Sequence, residues 1–271
     1  VYARLTGWGQ QGPFAPMAGH DIDYIALSGA LSTIGRRGER PVPPVNLLGD
    51  FAGGGMLCAF GIVLALFERC RSGKGQIIDS AMVDGAANLA TFLYGFRAAG
   101  LWSCEHGTNL LDTGAPFYDT YETADGKYMA VGAIEPQFYA ELLRGLDLDP
   151  DVMPHQMDRE AWPETRKVFA ERFRSRTRDE WCAVFDGTDA CVAPVLDLDE
   201  APKHPHNVAR STFVGGPKDA PLPAPAPRLS RTPGRAACDA PLPGQHSREI
   251  FSELGLSEEE IEEGIKTGAI G

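Results

Sequence analysis

The chain has 271 residues, an apolar share of 43% and a formal charge of −12, which is length enough for one large domain or two modest ones with a real core. The acidic balance argues against a nucleic-acid-binding surface, because neutralising phosphates takes a concentrated basic face, while a local basic cluster would still serve an anionic small molecule. Its six cysteines (Cys58, Cys70, Cys104, Cys182, Cys191 and Cys238) show neither CxxC nor metal-like spacing, so zinc and a disulfide scaffold are set aside and a reducing cytoplasm is expected.

Residues 1–7 read as a short buried strand running into the Gly/Pro-rich loop GWGQQGPFAPMAGHD, a composition that turns the chain repeatedly. The chain opens on Val1 inside that strand pattern, with no signal-peptide pattern, and a preceding N-terminal piece is expected. A helix is expected over 21–32, with Asp21 or Asp23 near its start. The prolines of GRRGERPVPPVN then forbid helix. LLGDFAGGGMLCAFGIVLALFERCRSGKG reads as a turn and a long helix, with Asp50 at its start and Gly73 as its C-terminal cap. Its apolar run, 56–67, is too short to cross a bilayer and is expected to be buried.

QIIDS carries a short strand and DGAANLATFLYGF a further helix. APFYDTYETADGKYMAVGAI alternates aromatic, threonine and apolar residues around Ala-Asp-Gly, a hairpin signature. Pro136 suits the first turn of the helix that follows. Thr177 and Glu180 have capping-box spacing, as do Ser257 and Glu260 before a short acidic helix. ACVAPVLDL is a strand candidate. The Pro-rich PKDAPLPAPAPRLSRTPG is extended, unable to build a core, and reads as a strap.

Few residues could carry chemistry. The run Gly53, Gly54, Gly55 lacks the lysine of a phosphate loop and the spacing of a dinucleotide fingerprint. It either lets a substrate approach the first amides of a helix, where they would stabilise an oxyanion, or lets helices pack closely. Asp50 reads as an N-cap or as an ionised proton acceptor. Glu135 stands before Pro136, where Ser, Thr, Asp or Asn is usual, and reads as a surface glutamate or as the orienting partner of a histidine. His20 is a loop histidine or a base. His106, His155, His204, His206 and His246 read as structural, the KHPH pair lacking further ligands.

The segments ARLTGWGQQGPFAPMAGHDIDYIALSGAL, NLLGDFAGGG, RSGKGQIIDSAMVDG, LLDTGAPFYDTYETADGKYMAVGAIEPQFY and FDGTDACVAPVL occur in this order. Together they closely resemble the racemase branch of the class III CoA-transferase family (CaiB/BaiF type), and the tail GQHSREIFSELGLSEEEI carries the resemblance along nearly the whole chain. The resemblance implies an α/β fold with a Rossmann-like large domain, here short of its N-terminal portion, and a small α+β domain, in an interlocked homodimer. On this plan residues 1–95 are the remainder of the CoA-binding large domain, 96–114 a linker, 115–210 the small domain, and 211–271 a return strap and C-terminal helix.

The implied reaction interconverts R and S 2-methylacyl-CoA thioesters, removing and returning the α-proton through an enolate. His20, paired with Glu135 of the partner subunit, would serve one face and Asp50 the other, with the Asp50 amide and Gly53, Gly54 and Gly55 near the oxyanion. Gly19, Asp21, Ile22, Asp23 and Tyr24 would line the CoA arm, Asp23 standing where the family has asparagine. Neither metal nor separate cofactor is implied, CoA being part of the substrate, and no nucleic acid or membrane. Two alternatives stand beside this. In a CoA-transferase Asp50 would be a nucleophile forming an acyl anhydride, a reading that the histidine at position 20 and GAIEPQ in place of a glycine-rich flap disfavour. The other is a catalytically silent dimerisation module.

Overall fold

The computed structural model describes residues 1–216, 220–235 and 241–270; Cys238 and two pieces of the expected strap, 217–219 and 236–240, lie outside them. The chain forms two compact units, residues 1–195 and 196–271.

The first unit begins with β1 (Tyr2–Thr6), paired in parallel with β2 (Ile77–Ala81), Tyr2 opposite Ile77. Parallel partners need a crossover, and everything between these strands forms it: the Gly/Pro loop, α1 (Asp21–Leu27), a π-helical segment (Leu47–Met56) and α2 (Leu57–Ser72). The helix expected to reach residue 32 stops at Leu27, because the Ser28 hydroxyl donates to the Ile25 carbonyl at 3.0 Å and Gly29 takes φ +81°. Gly73 ends α2 in the left-handed region, φ +74°, as expected.

After β2 come α3 (Met82–Leu89) and α4 (Thr91–Ala98), a pair broken at Ala90 where one helix was expected. An antiparallel sheet follows, with β3 (Tyr118–Glu122), β4 (Tyr128–Gly132) and β5 (Val192–Pro194) in that order. β3 and β4 are the expected hairpin. Their alternation places Tyr121, Met129 and Val131 inward, where α5 (Pro136–Gly145), α6 (Trp162–Phe173) and α7 (Arg178–Phe185) close an aromatic core around Phe117, Phe169, Phe173 and Trp181. Asp119, its side chain only 2% exposed, binds Arg36 at 2.8 Å and Arg166 at 3.2 Å, tying the loop after α1 to this sheet. A buried carboxylate needs such partners.

Three expectations need correction. β1 is not buried: Tyr2 and Leu5 are exposed, and the described sheet offers no third strand to flank it. Nor is α2 buried, since Phe60, Val63, Leu64 and Phe67 are each more than half exposed. The helical run is also longer than the apolar stretch suggested; from Leu47 to Ser72 it is, by length and composition alone, enough to cross a membrane. In this structure its first part lies against α3 and its second against the β1–β2 pair.

The second unit holds α8 (Pro205–Ala209), the short antiparallel pair β6 (Phe213–Gly215) and β7 (Pro221–Pro223), α9 (Ser247–Glu253) and α10 (Glu258–Thr267). Part of the Pro-rich segment is thus a strand. Ser257 and Glu260 form the expected capping box.

Candidate active site

The Gly/Pro loop is held by three aromatic rings. Trp8 meets Phe14 edge-on at 5.1 Å and Tyr24 at 4.8 Å between centroids. Tyr24, 7% exposed, lies so close over Gly7 that a Cβ there would stand 2.2 Å from its ring. Its phenol donates to the Gly19 carbonyl. Burial, and after it the negative charges of Asp50 and Asp23, push that phenol above its ordinary value. Gly19 has no room for a side chain either, between Trp8 and Tyr24.

This scaffold presents His20 as the exposed N-cap of α1, in extended conformation. The Asp23 carboxylate accepts the His20 backbone N–H at 3.0 Å. Asp23, expected along the CoA arm, is therefore engaged in capping. Ile22 is 45% exposed and open to a ligand.

Asp21 departs most from expectation. Rather than lining a CoA groove it is 3% exposed, and its Oδ2 accepts the backbone N–H groups of Gly49 at 2.6 Å and Asp50 at 2.8 Å. A Cβ at position 49 would stand 2.8 Å from that oxygen, which is why glycine precedes Asp50. The Asp50 amide, expected to face an oxyanion, is consumed by this contact. Asp21 Oδ1 is buried without a partner among the described residues.

Asp50 is not an N-cap. Asn46 occupies that position and its amide donates to Asp50 Oδ2 at 3.1 Å, leaving a half-buried carboxylate inside the π-helical segment. Such segments carry i→i+5 bonds and recur at functional sites. The glycines behind it divide. A Cβ on Gly53 would meet the Ala86 amide at 2.8 Å, and one on Gly85 the Gly53 carbonyl at 1.9 Å, so Gly53 serves the crossing with α3. Gly54 is also buried, whereas Gly55 is exposed with room to spare. For Gly53 and Gly54, close helix packing is the reading the geometry supports.

Glu135 caps α5 with its carbonyl, which accepts from Phe138 and Tyr139, while its exposed side chain makes no cap bond. It lies beside Cys191, whose thiol is pushed up by burial first, then by the charges of Glu135 and Asp189. A cleft of about 420 Å³ lined in part by Leu111, Tyr118, Val131 and Cys191 adjoins. The structure thus brings His20, Asp21, Tyr24 and Asp50 together. No hydrogen bond or ion pair joins Glu135 to them among the described residues. His106 has a structural role, its Nε2 set 2.9 Å from the Glu39 carbonyl. No group of His, Cys, Asp or Glu that could hold a metal occurs among the described residues.

Sequence reasoning missed the Trp8–Phe14 wall, Asn46 and the true role of Asp21. The legible signal was Gly49, a glycine next to a candidate catalytic carboxylate.

A family model described as CoA-transferase family III matches residues 1–247. The chain is 57% identical over 262 residues to "Alpha-methylacyl-CoA racemase" of Mus musculus, covering 96% of this chain and 69% of the relative. It is 54% identical to the Homo sapiens protein of that name over the same shares. In fold it resembles the crystal structure of a CAIB/BAIF family protein from Brucella suis, with a TM-score of 0.76 at 23% identity, over 94% of this chain and 68% of that one.

Proposed function

The chain belongs to CoA-transferase family III, and from that premise we propose that it is an isomerase, a racemase that interconverts the R and S forms of 2-methylacyl-CoA thioesters. Inverting a carbon α to a thioester takes a base on one face, an acid on the other, and a planar enolate between them. His20 takes the proton from one enantiomer and Asp50, protonated, returns one to the opposite face. In the reverse direction their proton states exchange.

The observation that carries this reading is the double contact from Asp21. The residue next to His20 in sequence holds the amide of Asp50, so the two proton carriers belong to one rigid junction rather than to two separate loops. Reaction rates are sensitive to misplacements of about 1 Å, and a junction of this kind limits such drift. Tyr24, with its raised pKa, stays a phenol at neutral pH and keeps its hydrogen bond to the Gly19 carbonyl. Because the Asp50 amide is taken, another donor must meet the enolate oxygen.

Glu135 enters as an orienting carboxylate for the histidine, supplied by a second copy of the chain in a homodimer. Its exposure and its freedom from helix capping support this. The five described cysteines are free thiols, in keeping with a reducing compartment.

The deciding experiment is α-proton exchange on (S)-2-methylacyl-CoA in D2O, followed by mass spectrometry. The wild-type chain is expected to incorporate deuterium and to yield the R thioester, while His20→Ala and Asp50→Asn abolish turnover. Turnover retained in both variants would reject the assignment. Transfer of CoA to a labelled carboxylate, with an acyl adduct trapped on Asp50, would replace it by transferase chemistry.

A further inference from the structure

A cavity of about 130 Å³ lies between the C-terminal end of α1, helix α4 and residues 102–106. His20 caps the other end of α1, seven residues away, which is about 10 Å at the usual rise of 1.5 Å per residue. The cavity is therefore separate from the proton-transfer junction. Its walls are largely apolar, built by Ala90, Leu93, Tyr94 and Trp102, with Arg97 and Cys104 on the lining as well.

Two polar groups here are unused. Trp102 is 7% exposed, and its indole N–H, which is open to solvent, makes no hydrogen bond to the described residues. Arg97 spends a single donor, Nη1 to the Trp102 carbonyl at 3.3 Å, and pairs with no carboxylate among the described residues. Nearby polar groups have other partners: Glu105 pairs with Arg37 at 3.0 Å, and the Tyr94 phenol donates to the Ser28 carbonyl at 2.7 Å. A dry apolar cavity of about 150 Å³ accommodates benzene; this cavity is slightly smaller, at about 130 Å³, but open to solvent on one side, which matches a phenyl ring or a short branched alkyl group with its polar end at the rim.

The geometry points to a second ligand site here, for a small aryl or branched-alkyl carboxylate. The apolar body fills the space among Ala90, Leu93, Tyr94 and Trp102. The carboxylate sits at the rim, accepting from the Arg97 guanidinium and the Trp102 indole. Charge-assisted bonds of this kind select an anion over a neutral analogue of the same shape. The site does not depend on the racemase assignment.

The test uses the full chain labelled with 15N and benzoate as the probe, with the Trp102 indole resonance assigned by its loss in Trp102→Phe. Benzoate is expected to shift that resonance saturably in the millimolar range or below. Benzyl alcohol, uncharged and of similar size, should bind at least tenfold more weakly, and Arg97→Gln should weaken benzoate by a similar factor. Ser32→Trp, placed at an exposed lining position, should block binding without touching the apolar wall. His20→Ala should leave the titration unchanged. The proposal is overturned if the Trp102 resonance does not respond, if benzyl alcohol and benzoate bind alike, or if binding is lost in His20→Ala and kept in Arg97→Gln, which would seat the acid at the reaction centre.

Discussion

Asp21 is one carboxylate with two obligations, and its removal should be felt in chemistry more than in binding. Asp21→Asn keeps the shape but replaces a charged acceptor, and hydrogen bonds to charged groups are worth about 1.5–3 kcal/mol. Urea unfolding should register a loss of that order. In turnover, kcat should fall by about tenfold or more with KM nearly constant, since each ~1.4 kcal/mol of misplaced barrier is a factor of ten; a rise in KM alone would instead make Asp21 a binding residue. The Glu135–Cys191 pair offers a second check. A thiol with raised pKa holds less thiolate at neutral pH than an ordinary cysteine, so iodoacetamide alkylation of Cys191 should climb only in the alkaline range. Glu135→Gln removes one of the causes and should move that profile to lower pH. An unmoved profile would show that the carboxylate does not act on the thiol. Among these residues His20, Asp50 and Glu135 were legible in sequence as candidates, through their positions beside glycines and a proline and through the family resemblance. The inward turn of Asp21 was not, because it depends on a residue 28 positions away coming within hydrogen-bond reach.

Between elements, the crossing of the π-helical segment with α3 tolerates no side chain at one point. Gly85→Ala would place a methyl group 1.9 Å from the Gly53 carbonyl, and overpacking of this kind costs roughly 1–3 kcal/mol or more. Gly55→Ala, whose nearest neighbour would be the Asp50 carbonyl at 3.6 Å, should be neutral or mildly stabilising. Thermal melts of the two variants distinguish a packing role from a conformational one. The capping box of α7 gives a pH-dependent case. Bonds from the Thr177 backbone and then its hydroxyl lower the Glu180 pKa. A carboxyl depressed in the folded state stabilises above its unfolded value of about 4.3 and loses that contribution as pH falls through the folded value. Thr177→Ala should therefore lower the melting temperature at neutral pH, with the deficit shrinking in acid melts. Hairpin, caps and the α2 terminus were legible because each is decided by a few adjacent residues. The π-helical wind and the early end of α1 were not: the first runs through residues held by the distant Asp21, the second comes from a serine and a glycine inside an otherwise helical pattern.

Across the molecule, the hairpin expected in 115–134 is present as β3 and β4 and faces an aromatic core, whereas α2, expected to be buried, is exposed. Alternation on β3 and β4 identifies which residues face inward, and the aromatic helices supply the cover. On α2 the composition is as apolar as a core helix, but burial depends on what lies alongside, and Phe60, Val63, Leu64 and Phe67 are open in this chain. Contiguous exposed apolar surface drives association, so this chain should sediment as a concentration-dependent mixture and bind a hydrophobic dye, and Phe60→Glu with Phe67→Glu should reduce both; a dilution-insensitive monomer that binds no dye would contradict this. The pairing of Tyr2 with Ile77 also sets a schedule. His20, Asp21 and Asp50 all lie inside the loop that this pairing closes, and distant pairings are slow to form. On the ribosome, the first strand waits for the second, and the junction of His20, Asp21 and Asp50 comes together only when that loop is shut, before any second chain can bring its Glu135.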